Sequence, residues 1–272
     1  MELQTSELDD LVRMIGEAGR RLSEIAAAEG AAGNISVCLP APLDVSGRFP
    51  LSEDISLPVA VPELAGATFL VTGSGRRLRE ILDDPEGNLG CLVVQPGGET
   101  GRLFTSRRRR FSRLTSEFNS HLAVHHERFL RGAFGIHAVI HAQPPHLTYL
   151  SHIAAYQKEL FLNQHLLRWQ PETIIQMPEG MGVVPFVVPG SAELVEATRT
   201  ALQQHQLALW SRHGAIARAD GSVMHACDLI EYAETAAHYE YLNLAAGEPS
   251  EGLSAEQIRA ICQSVGVKQA IF

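Results

Sequence analysis

The chain has no long uncharged apolar run that could span a bilayer, and its first residues, Met1 to Asp10, lack the basic and apolar regions of a signal peptide. A cytoplasmic protein with no membrane partner is expected. Cysteine is sparse: Cys38, Cys91, Cys227 and Cys262 stand far apart without a paired motif, which argues against a disulfide framework and a cysteine zinc site and leaves core thiols. Positive charge is also short. With 22 Lys and Arg against 31 Asp and Glu, the formal net charge is −9, and a general nucleic-acid binder is disfavoured. The one basic run, Arg107-Arg108-Arg109-Arg110, reads either as a solvated loop or as a spot that attracts an anionic substrate or an acidic partner. There is no P-loop, no long glycine fingerprint of dinucleotide folds, no internal repeat and no low-complexity tract.

What is present is a chain of 272 residues, enough to bury a large core. Leu8, Leu11, Ile15, Leu22, Ile25 and Ala26 recur at mostly helical spacing, so residues 7 to 29 predict an opening amphipathic helix that stops at Gly30. The small-residue turn Ala31-Ala32-Gly33-Asn34 then leads into a short strand; it could bring backbone close to a ligand or be a plain connection. Residues 40 to 62 are proline-rich and predict an irregular excursion with short edge strands. A buried strand over 67–72 runs into Gly73-Ser74-Gly75, followed by Leu78 and Ile81 in helical rhythm. Such a turn is either an anion cradle at a helix start or an ordinary strand–helix connection.

A further strand covers 91–95. Thr115 or Ser116 then caps a helix with Glu117 in its first turn and His121 placed to hydrogen-bond that carboxylate. Glu117 is structural there, or it is an ionised group presented to a site. Alternation over 137–143 predicts a strand that projects His141 and Gln143 from one face, and Pro144 and Pro145 end it. Two short apolar strands, 207–210 and 215–217, flank a hairpin that holds His213 at a sheet end. Asp220-Gly221-Ser222 starts a long helix whose Met224, Cys227, Ile230, Ala233, Ala237 and Tyr241 form one stripe, and Ser254 with Gln257 makes a capping box.

Taken in order, Asn34 after a glycine turn, Thr72-Gly73-Ser74-Gly75, Thr115-Ser116-Glu117, the His141 strand, residues Pro178 to Pro185 and Trp210-Ser211-Arg212-His213-Gly214 resemble the class II sugar-phosphate aldolase/adducin family. The likeness runs from about residue 10 to near the C-terminus. It implies one domain over residues 1–272, an α/β fold that is a three-layer α/β/α sandwich around a largely antiparallel central sheet, and a homotetramer with active sites at subunit interfaces. It also implies a divalent metal, Zn2+ in the first instance, bound by His141 and His213, with Glu117 beside it as acid/base and Glu172 contributed by a neighbouring subunit. Gly33, Asn34, Gly73, Ser74, Gly75, Thr115 and Ser116 match the family's cradle for the phosphate half of a sugar phosphate.

The activity so implied is retro-aldol cleavage of a deoxyketose 1-phosphate, of the rhamnulose or fuculose 1-phosphate type, to dihydroxyacetone phosphate and lactaldehyde. A pentulose-phosphate 4-epimerase and a non-catalytic adducin-like binding protein are the alternatives on the same fold. Two positions depart from the family pattern. Gln143 stands where a second histidine of a His-X-His pair is usual, so the third metal donor is either Gln143 or His146, and Ala31 replaces an asparagine.

Overall fold

The computed structural model describes residues 2–132, 134–247 and 250–272. Its opening helix, α1 (Glu2–Glu24), buries Leu8, Leu11, Ile15 and Leu22. The helix stops short of the stretch predicted for it. Ala26 takes a left-handed conformation with φ 59°, and the Ala27 N–H closes onto the Leu22 carbonyl at 2.8 Å, a bond that satisfies a terminal carbonyl and ends the helix.

Nine strands form one sheet: β1 (Asn34–Leu39), β2 (Leu51–Ser56), β3 (Thr68–Thr72), β4 (Leu89–Val94), β5 (Thr100–Thr105), β6 (His137–Ala142), β7 (Gly182–Val184), β8 (Leu207–Trp210) and β9 (Gly214–Asp220). Their order is β2-β5-β4-β3-β1-β6-β9-β8-β7, and every pairing is antiparallel except β7 with β8. The largely antiparallel sheet expected from the sequence is therefore present. The proline-rich excursion contributes β2, exposed along almost its whole length at one edge. Its partner β5 had no clear alternating signal, because Thr100-Gly101-Arg102 mixes polar and flexible residues.

Side chains alternate across this sheet, and both faces are apolar. Ile35, Val37, Ile140, Ala142, Leu209 and Ala217 join one core with residues of α1 and of the long helix α8 (Val223–Ala246). Cys38, Phe69, Val71 and Leu92, together with Val139, Trp210 and Ile216, face the other way. They pack against residues of α3 (Phe118–Leu130) and α7 (Ala192–Gln204). Shorter helices, α2 (Pro85–Asn88), α4 (Pro145–Leu150), α5 (Glu159–Leu166) and α6 (Pro171–Gln176), fill the connections, and α9 (Ala255–Val265) begins with the Ser254–Gln257 capping box.

On α8, Cys227, Ile230, Ala233 and Ala237 are buried as the stripe requires, while Tyr241 is exposed. All four cysteines are free and buried, and burial pushes the Cys38 and Cys91 thiols well up. No helix among the described residues is long and apolar enough to cross a membrane.

Candidate active site

Strand ends and one helix start meet at a single place. Asn34, the first residue of β1, pairs with His141 near the end of β6, and β9 begins beside them with Ala215 opposite Ala142. An isolated bridge between Gly73 and Leu114 lays the Gly73-Ser74-Gly75 turn alongside Thr115-Ser116-Glu117. These segments enclose a cavity of about 190 Å3 lined by Gly33, Asn34, Gly73, Ser74, Gly75, Thr115, Ser116, Glu117, His141, Gln143 and His213, and also by Ala31, Ala32 and Arg76. Eleven positions singled out in the sequence thus face one space.

Close packing requires glycine at two points, one on the cavity wall and one beside it. Gly33 has φ 81°, and a Cβ there would come within 3.1 Å of the His141 carbonyl oxygen. At Gly214 a Cβ would lie 2.4 Å from the Ala142 carbonyl oxygen and 3.0 Å from the His141 ring. Neither position has room for a side chain. Between the strands of the β8–β9 hairpin, Arg212 adopts φ 64°, with its N–H donating to Ser151 Oγ at 2.6 Å, and the turn delivers His213 to the cavity.

The three polar groups at the centre converge. His141 Nε2 lies 3.6 Å from one Glu117 carboxylate oxygen and His213 Nε2 lies 3.3 Å from the other, with all three donor atoms within 4.8 Å of one another. His141 Nδ1 lies 2.9 Å from the Ala215 carbonyl oxygen, an acceptor only, so Nδ1 carries the proton and Nε2 keeps its lone pair for the cavity. Trp210, buried with its Nε1 donating to Thr198, stacks on both rings, with centroids 4.7 Å from His141 and 5.2 Å from His213.

Burial tends to raise the Glu117 carboxyl. His141, the Asn34 amide donating at 2.7 Å, and His213 outweigh that effect and hold it below the ordinary carboxylate value. Burial, reinforced by His141, lowers His213 against the opposing pull of Glu117. An ionised carboxylate beside the His141 nitrogen that keeps its lone pair and the His213 imidazole is a donor set that fits a divalent cation.

Several predicted residues stand elsewhere. His146 lies outside the cavity: its ring Nδ1 pairs with Glu234 at 2.6 Å and the ring stacks on His238. Gln143 is on the cavity wall. Glu172 is exposed in the first turn of α6 and does not reach the cavity of its own chain.

Glu117 occupies the N-cap position of α3, ahead of the first turn, and no side-chain hydrogen bond caps that helix. Thr115 and Ser116 therefore line the cavity without serving as caps. The His121 side chain turns away from Glu117 to Ser36, with Nδ1 2.7 Å from Ser36 Oγ. The glycine turn is not a helix start either. Arg77 is extended, and only a 3-10 turn, Leu78–Glu80, follows it, so any anion there is held by the turn itself without a helix dipole. Arg76 was missed; its only signal was adjacency to Gly75. The arginine run lies outside the cavity and ion-pairs locally, Arg108 and Arg110 with Asp84 at 2.7 and 3.1 Å and Arg109 with Glu53 at 2.5 Å.

Residues 13–241 match the family described as Class II Aldolase and Adducin N-terminal domain. The chain is 29% identical over 213 residues to a rhamnulose-1-phosphate aldolase of Escherichia coli O7:K1, covering 78% of this chain and 77% of that one. It is 31% identical over 212 residues to a rhamnulose-1-phosphate aldolase of Listeria monocytogenes serovar 1/2a, covering 76% and 74%. A solved sugar-phosphate aldolase from Thermotoga maritima superposes with a TM-score of 0.73 at 26% identity, over 90% of this chain and 100% of that one. The chain belongs to the class II aldolase and adducin family.

Proposed function

We propose that this member of the class II aldolase and adducin family is a zinc-dependent aldolase. It cleaves a deoxyketose 1-phosphate of the rhamnulose or fuculose type, reversibly, to dihydroxyacetone phosphate and lactaldehyde. The observation that carries the reading is the convergence of Glu117, His141 and His213 in the cavity that also holds the Gly73-Ser74-Gly75 turn. The names of the Escherichia and Listeria relatives agree with it. In this reading the protein is a single domain, a three-layer α/β/α sandwich, working in the cytoplasm as a homotetramer.

His141 and His213 would hold the metal, and Gln143, on the wall beside them, would complete the set in preference to His146, which Glu234 engages. Bound there, a divalent cation supplies electrophilic stabilisation of the negative charge that grows on the ketose oxygens. As the hydroxyl at C4 loses its proton, the C3–C4 bond breaks and its electron pair passes into an enediolate on the phosphate-bearing half. Glu117, kept ionised and aimed by the Asn34 amide, accepts the proton that leaves the C4 hydroxyl and delivers it to C3, and the reverse reaction returns it by the same route. Gly33, Asn34, Gly73, Ser74, Gly75, Thr115 and Ser116 fix the phosphate half, so that orientation is settled by binding. Glu172, exposed in the first turn of α6, would be contributed to the neighbouring subunit's site in the tetramer.

The test is incubation of the pure protein with a panel of ketose 1-phosphates and divalent metals. Release of both products, lost in Glu117→Gln, is the expected result, and no cleavage across the panel contradicts the reading. Inversion of a stereocentre without free products would identify a pentulose-phosphate 4-epimerase, and neither turnover nor bound metal an adducin-like binding protein.

A further inference from the structure

Among the described residues that line the cavity, Arg76 alone carries a permanent positive charge. Its guanidinium is held from two sides: Nε donates to Asn88 Oδ1 at 2.7 Å and Nη2 to Glu80 Oε2 at 2.7 Å. Asn88 is fully buried and fixed in turn, its side-chain amide donating to the Asp84 carbonyl at 2.6 Å. The Asn88 carbonyl also accepts the Gly73 N–H at 2.8 Å. One buried residue therefore anchors both the glycine turn and the arginine beside it.

The remaining guanidinium nitrogen, Nη1, has no partner among the described residues, and the side chain is only 18% exposed. The Gly75 N–H and the Ser74 hydroxyl are likewise unused by the described residues. An arginine restrained by two hydrogen bonds loses little further freedom when its third nitrogen meets a ligand, and a charge-assisted bond to an anion is about twice as strong as a neutral one. The more conspicuous arginines are occupied elsewhere, Arg108 and Arg110 by Asp84 and Arg109 by Glu53.

We propose, building on the aldolase reading, that Arg76 is the specificity-determining residue for a phosphorylated substrate. Its Nη1 donates to a phosphate oxygen, while the Gly75 N–H and Ser74 hydroxyl donate to others. Asn88 and Glu80 act as positioning residues that keep the guanidinium at the cavity wall. Glu80 also draws charge away from it, so neutralising that carboxylate strengthens the anion site.

Calorimetric titration of the purified protein with inorganic phosphate at constant ionic strength tests this directly. Arg76→Gln should weaken phosphate binding about 10- to 100-fold, Arg76→Lys should fall between, and Glu80→Gln should tighten it. With a ketose 1-phosphate, Arg76→Gln should raise KM and leave kcat near its original value. Equal phosphate affinity in wild type and Arg76→Gln, or no phosphate binding by wild type, overturns the proposal. Phosphate binding lost in Arg76→Gln, in a protein that cleaves no ketose 1-phosphate, keeps the role of Arg76 and discards the aldolase reading. Cleavage with the same KM in both proteins does the reverse.

Discussion

Two histidine clusters share β6 and α3, and they differ in every respect that bears on chemistry. In the first, His141 and His213 face an open cavity with the Glu117 carboxylate between them. In the second, Ser36 Oγ bridges His121 Nδ1 at 2.7 Å and His125 Nε2 at 2.8 Å, and His125 Nδ1 contacts His137 Nδ1 at 2.7 Å. All three of those rings are fully buried, and among the described residues no carboxylate bonds to them. Burial pushes His121 and His137 down to about 3 and His125 well below its usual value, so each is neutral in the folded protein. His137 and His141 lie on the same face of one strand, four residues apart. A histidine on a strand face therefore carries no message by itself; access to a cavity and a carboxylate partner separate a candidate ligand from a structural residue.

The contrast can be broken most sharply at Glu117. Glu117→Gln should lower kcat for ketose-phosphate cleavage about 10²- to 10⁴-fold, the usual worth of a general acid/base, with the thermal midpoint little changed. The equivalent assault on the sealed cluster is acid. Because His121 and His137 have folded values of about 3 against 6.5 for the free side chain, the unfolded chain takes up more protons between those limits. Stability is thus full above about pH 6.5 and falls as pH drops towards 3, by about 1.4 kcal/mol per pH unit for each such histidine. Denaturant midpoints measured across that window should show the decline, and His137→Phe should flatten it. A smaller effect is expected from Ser36→Ala, which strands two buried ring nitrogens. A loss of about 1–3 kcal/mol in chemical denaturation, with unaltered metal affinity, would keep the clusters distinct, whereas weakened metal binding would merge them.

Much of the first cluster was legible because its residues sit at element boundaries that leave marks in the sequence. Asn34 follows a glycine turn, Pro144 and Pro145 end the His141 strand, and Gly214 follows His213. The glycines were readable for a physical reason: Gly33 and Gly214 stand where a Cβ would collide with the His141 segment. The second cluster was not legible. His121 sits one turn from Glu117, and local spacing offered that carboxylate as its partner, whereas its actual partner, Ser36, is 85 residues away on β1. Helical rhythm at Leu78 and Ile81 gave a helix where Gly75 and extended Arg77 allow only a 3-10 turn. β5 escaped because strand pairing, more than its own pattern, holds it in place.

Zinc titration of the purified protein, beside His141→Ala, His213→Ala and Gln143→His, tests the central claim most directly. The donor set at the cavity predicts about one equivalent bound by wild type, loss in both alanine variants, and tighter binding in Gln143→His, because imidazole is a better zinc donor than an amide oxygen. Stoichiometric zinc retained in both alanine variants, or none bound by wild type, would contradict it.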